Sequence, residues 1–205
     1  EIRIVVDIIH AAGWPIWPLI FASIIALAII FERLWALRTS IIAPDNLLLE
    51  AQKMITKDGV RKEAIETLQN HSMLGEIFAS ALNNYSSPSE IIKEAIEETG
   101  RAVNHKLERY LSTLGTIATV APLLGLFGTI IGMVELFSSF TSSGNDVAVF
   151  ARGISIALYN TAGGIVVAVP AMIAYRFFRT KIDTLIVEME QQAIKLVEII
   201  NGKRK

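Results

Sequence analysis

Apolar positions along this chain follow two patterns. In the first they run almost unbroken. Ala11 to Phe31, Leu111 to Val134 and Gly153 to Tyr175 contain no charged residue. About 20 predominantly apolar residues cross a bilayer as a helix, so each run is long enough for a transmembrane span. In the second pattern apolar residues recur every three or four positions. Ile182, Leu185, Ile186, Met189, Ala193, Leu196, Val197 and Ile200 mark one face of a helix that Gly202 should stop. No turn signal separates this helix from the third span. Ile92, Ile96, Val103, Leu107 and Leu111 form a similar stripe leading into the second span. Ser87-Pro88-Ser89-Glu90 before it has the form of a capping box with proline at the first helical position. Between 45 and 86 the spacing predicts shorter helices. Asp45 and Ser72 are candidate N-caps, Lys57-Asp58-Gly59 is a turn, and Asn83 to Ser87 is a loop. No strand pattern of useful length and no internal repeat occurs. The expected fold is an all-α integral membrane protein with three transmembrane helices. The second and third extend far into the cytoplasm, accompanied by small cytoplasmic helices.

The first run reads as a permanent anchor, not a cleaved signal peptide. Glu1 and Asp7 outweigh Arg3 ahead of it, and no small-residue cleavage site precedes Glu32-Arg33. Trp14 and Trp17 at one end and Trp35 at the other suit interfacial belts, and Pro15 and Pro18 fall where a helix tolerates a missing N–H. Glu1 stands where a chain normally has Met, so the natural N-terminus is expected further upstream. Ten Lys and Arg lie in 32–110 and seven in 176–205, against Arg3 and Arg152 elsewhere. The excess places those two segments in the cytoplasm. The expected order is a periplasmic N-terminus (1–10), a span (11–31), a cytoplasmic helical region (32–110), a span (111–140), a periplasmic connector (141–152), a span (153–175) and a cytoplasmic tail (176–205).

Composition narrows the function. The 205 residues are 52% hydrophobic and 19% charged, below the roughly 25% charged residues of a soluble domain. A net charge of -1 argues against a nucleic-acid footprint. With no cysteine there is no disulfide framework, thiol catalysis or cysteine metal site. His10, His71 and His105 are too scattered for a metal cluster. No phosphate loop with lysine, Gly-x-Ser-x-Gly or His-Glu-x-x-His occurs. Neither enzymatic activity nor a cofactor is expected.

The spans themselves differ. The first is mostly Ile, Leu, Ala and Phe, whereas the other two are rich in small and hydroxyl residues. Gly125, Gly128 and Gly132 share one helix face, where small residues let backbones approach. Pro122 and Pro170 each free a carbonyl at membrane depth. With the second helix ending near Phe140 and Asp146 capping the third, Thr129 and Thr161 lie roughly 16 and 22 Å from the outer ends. Close packing accounts for the glycines, and bonding to the helix's own carbonyls accounts for the threonines, as readily as function does. An ion pathway normally shows an ionisable residue at membrane depth, yet none of the three runs contains Asp, Glu, Lys, Arg or His. Either the chain does not conduct, or a partner supplies the titrating group. Glu135, at the outer end of the second span, is the nearest acid and a candidate mouth residue.

At these residues the sequence resembles the ExbB/TolQ/MotA family of bacterial proton-channel subunits. The resemblance is carried by Glu32-Arg33-Leu34-Trp35, by Ala121-Pro122-Leu123-Leu124-Gly125-Leu126-Phe127-Gly128-Thr129, and by Gly153-Ile154-Ser155 through Thr161-Ala162 to Val169-Pro170-Ala171. Three spans with an outward N-terminus look most like ExbB, with TolQ second. The resemblance implies a homopentamer in the inner membrane, whose second and third spans surround the single-span helices of an ExbD-like or TolR-like partner. That partner carries the titrating aspartate, and the transported ion is H+. Thr129 and Thr161 match the family's pore threonines. Pro122, Gly125, Gly128, Asn160 and Glu135 are weaker candidates for the pore lining or mouth. Many members have a glutamate five residues before the third-span threonine; here that position is Ile156. The implied function is to energise a TonB-like protein for outer-membrane import. The alternatives are a TolQ-type subunit working with a TolA-like protein in the Tol-Pal envelope-maintenance system, or a non-conducting membrane scaffold.

Overall fold

The computed structural model describes residues 2–142 and 147–202. Among them there is no strand. The helices are α1 (Ile2–Ala12), α2 (Ile16–Ala36), α3 (Thr39–Ile42), α4 (Leu47–Asp58), α5 (Lys62–Gln69), α6 (Met73–Asn83), α7 (Ser89–Leu107), α8 (Leu111–Ser142) and α9 (Val147–Ile200). They form two compact units, one of residues 1–32 and 110–177, the other of 33–109 and 178–205. Among the described residues, three helices (α2, α8 and α9) are long and apolar enough to cross a membrane.

In the first unit, α1 and the start of α2 pack on α8 and α9 through Ala12, Ile16, Leu19, Ala121 and Ala168. The first span starts at Ile16, not Ala11, because Gly13-Trp14-Pro15 interrupts the helix. Gly13 has φ +72°, a conformation that costs glycine little. The Ile16 and Trp17 amides bond back to the Gly13 and Trp14 carbonyls. The opposite face of α2 is bare: Trp17, Phe21, Ile24 and Phe31 are each more than 60% exposed. Bulky apolar groups in that state suit contact with lipid tails. The 141–152 segment expected as a connector is partly helical, since α8 reaches Ser142 and α9 begins at Val147. Asp146, the expected cap, lies outside the described residues.

In the second unit, α5, α6 and α7 pack through side chains. Leu68, Leu74, Ile77, Phe78, Leu82, Ile96 and Val103 are buried. Ser72 caps α6 as its sequence position suggests: its hydroxyl accepts the Gly75 N–H at 3.2 Å. Other caps differ from expectation. Asn46, not Asp45, is the N-cap of α4, and it makes no side-chain capping bond. Pro88 occupies the N-cap of α7 itself, so the expected box does not close, because proline has no side-chain acceptor to offer. Nor does α7 run on into the second span. The helix stops at Leu107, and Tyr110 adopts φ 65°, left-handed and uncommon outside glycine. Arg33 is nearly buried and donates to the Leu107 carbonyl at 3.0 Å, placing a positive charge at the C-terminal end of α7. The tail stripe is buried at Ile182, Leu185, Met189, Ala193, Leu196 and Val197. Gly202 ends it at φ 68°. The Glu190 carboxyl sits over Gly100, where a Cβ would collide with it. Burial raises its pKa above the ordinary 4.5, Glu97 raises it further, and Arg101 opposes both.

Candidate functional site: a hydroxyl pair between close-packed helices

Within the first unit, α8 and α9 run antiparallel and touch backbone to backbone. A Cβ at Gly125 would lie 2.8 Å from the Asn160 carbonyl oxygen; at Gly132, 2.6 Å from that of Gly153; at Gly164, 2.7 Å from that of Ala121. No larger residue fits these three positions without parting the helices. The glycine face is therefore a packing surface. Gly125 and Gly128, weaker candidates for the pore lining, are buried inside it and do not reach an exposed face.

The close approach brings Thr129 and Thr161 together, Oγ1 to Oγ1 at 2.5 Å. Measured from Ser142 and Val147, they sit about 20 and 21 Å along their helices at ~1.5 Å per residue. Thr129 Oγ1 also lies 3.3 Å from the carbonyls of Gly125, on its own helix, and Ala157, across the contact. Each hydroxyl carries one proton. When Thr129 donates to a carbonyl, the short contact is Thr161 donating to Thr129. Thr161 is then left with lone pairs, and it accepts from an outside donor such as a protonated carboxyl. Facing an ionised carboxylate, both hydroxyls turn: Thr161 donates outward and accepts from Thr129. The pair can thus match either protonation state of an external acid. It ends at carbonyls that cannot pass a proton on, so the pair can ligate an acid but cannot relay a proton further along its own hydrogen bonds.

Thr161 is exposed, as are Leu126, Met133, Leu158 and Ile165 on the faces flanking the pair. An apolar surround strengthens each hydrogen bond made there. Pro122 and Glu135 are also exposed. Asn160 is not: it is 0% exposed and donates from Nδ2 to the Ala12 carbonyl at 2.7 Å and the Ile156 carbonyl at 2.8 Å. It turns inward because α1 and Gly128 close over it. Its Oδ1 is buried with no hydrogen-bond partner, a deficit that typically costs ~1–3 kcal/mol. Ile156 is buried too, its Cδ1 3.7 Å from where a Cβ on Gly13 would sit. The threonine pairing and the Asn160 clasp were not legible in the sequence. The only hint was the shared glycine face, which says that helices meet without saying which residues then touch.

The sequence profile of the MotA/TolQ/ExbB proton channel family matches residues 69–191, which include both threonines. The chain belongs to that family. Among its relatives, the ExbB-like 1 protein of Synechocystis is 30% identical over 80% of this chain and 66% of its own length. The ExbB-like 3 protein of the same organism is 32% identical, covering 83% and 82%. The Tol-Pal system protein TolQ of Haemophilus influenzae is 32% identical over 50% and 46%. The chain thus spans about two thirds of the first relative's length. Family membership and the three apolar helices make this a multi-pass membrane protein and a proton-channel subunit of ExbB/TolQ type. The family is one of transport proteins, not of enzymes.

Proposed function

We propose that this subunit supplies the hydroxyl ligands of a proton path whose titrating acid belongs to a partner. The observation that carries the reading is the Thr129–Thr161 pair, with Thr161 exposed, within the stretches 111–134 and 153–175, which contain no charged residue. An ExbD-like or TolR-like single-span protein with a membrane aspartate fits that gap. Five copies of this chain surround the partner helices in the inner membrane, with the N-terminus periplasmic and the C-terminus cytoplasmic, as the Lys/Arg excess favours. H+ is the transported ion. Its flow energises a TonB-like protein that serves outer-membrane import. The TolQ likeness supports a second reading, in which the driven protein is TolA-like and the task is envelope maintenance.

The test is proton uptake by vesicles holding this subunit and its partner under an imposed membrane potential. Thr129→Val with Thr161→Val should lower the flux at least tenfold. Undiminished flux would overturn the role of the hydroxyls, and a wild-type complex that passes no protons would favour a scaffold. Native mass spectrometry giving dimers or trimers would remove the pentamer. Rescue of a strain lacking ExbB, but not of one lacking TolQ, would favour the first reading over the second.

A further inference from the structure

We infer that Asn160 is a positioning residue for the hydroxyl pair, tying the turn of α9 that carries Ala157 and Thr161 to both α1 and α8. The inference rests on the proposed role of the two threonines. Asn160 and Thr129 hold consecutive carbonyls of one turn: Asn160 takes that of Ile156, Thr129 that of Ala157. The second Asn160 donor goes to Ala12, the last residue of α1. Carbonyls at a helix C-terminus lack an intrahelical donor, so this bond satisfies a group the fold would otherwise leave open. On its third side Asn160 lies flat on Gly128, where a Cβ would overlap its Cβ and Cγ. One side chain thus meets α1, α8 and its own helix at the residue next to Thr161.

The unpaired Oδ1 indicates that Asn160 is not there for stability alone. An apolar residue at this buried position would leave no such atom unsatisfied. What it could not do is donate to two carbonyls at once. Without that grip α9 can shift against α1 and α8 at this turn, and Thr161 moves relative to Thr129.

The experiment uses the full chain with its partner in bilayers and 13C-labelled threonine. Asn160→Ala should shift or broaden the Thr129 and Thr161 signals while leaving Thr116, Thr119 and Thr184 in place, because each of those is bonded to its own helix. Gly128→Ala displaces Asn160 without removing it and should move the same two signals, so the result does not depend on one variant folding. Proton flux with Asn160→Ala should fall about tenfold. Unchanged Thr129 and Thr161 signals in both variants would overturn the inference, as would movement of all threonine signals alike. The outcomes also separate the two ideas. If the threonine-to-valine pair leaves flux intact while Asn160→Ala still moves the two signals, the conducting role fails and the positioning stands. If the valines abolish flux but Asn160→Ala changes neither signals nor flux, the positioning alone fails.

Discussion

The α8–α9 contact and the α5–α7 bundle are both helix packings, yet they are built from opposite materials. In the bundle, Leu74, Ile77, Phe78 and Leu82 are buried to within 1% of completely, and side chains hold the helices together. Between α8 and α9 the contacts are made by Gly125, Gly132, Gly153 and Gly164 against backbone atoms. The surrounding medium explains the difference. In water, apolar side chains gain by leaving solvent, at roughly 25 cal/mol per Å². In lipid they gain nothing that way, so helices associate through close van der Waals contact and polar pairs. The second solution has a functional consequence. Only backbones this close let a threonine on one helix reach both a hydroxyl and a carbonyl on the other.

The comparison can be broken by substitutions of opposite sense. The largest effect should come from Phe78→Ala. Emptying a fully buried aromatic site in the bundle typically costs ~3–5 kcal/mol. Amide hydrogen exchange of α5–α7 in the full chain should accelerate accordingly, with the α8–α9 amides little changed. The reverse change, Gly132→Ala, adds a methyl where the nearest carbonyl oxygen would be 2.6 Å away. Overpacking of this kind costs ~1–3 kcal/mol, so exchange should accelerate in α8 and α9 and not in the bundle. If Gly132→Ala is silent while Phe78→Ala is not, the backbone contact is looser than its geometry implies.

The smallest effect lies beside the bundle, where Glu190 of α9 meets Gly100 of α7. Glu190 titrates above its ordinary 4.5, mainly because burial disfavours its charge. The unfolded chain therefore ionises this group first as pH rises. Stability is lost between the ordinary and the raised value, and the loss is complete above it. Glu190→Gln should accordingly raise the thermal midpoint slightly at neutral pH and have no such effect below about pH 4.5. A gain that persists at low pH would point to packing instead of charge.

Legibility followed the range of the interactions. The apolar runs, the tail stripe from Ile182 to Val197 and the Ser72 cap are local patterns, and all are readable in the sequence alone. The ends of elements were less so. Gly13-Trp14-Pro15 sets the start of the first span, and α1 precedes it over a stretch whose only sign of a helix is the spacing of Ile2, Val5, Val6 and Ile9. Tyr110 broke a stripe that looked continuous, because nothing in a tyrosine announces a left-handed backbone.

By itself the sequence determined the helical class and the three long uncharged runs, since each depends on residue type and spacing alone; the resemblance to the family singled out the two threonines. The tertiary structure decided what meets what. It turned the glycines and Asn160 inward, left Thr161 open, and joined Thr129 to a residue 32 positions away. That outcome rests on how closely two backbones approach and how each helix is rotated about its axis, and neither is a property of any one stretch of chain.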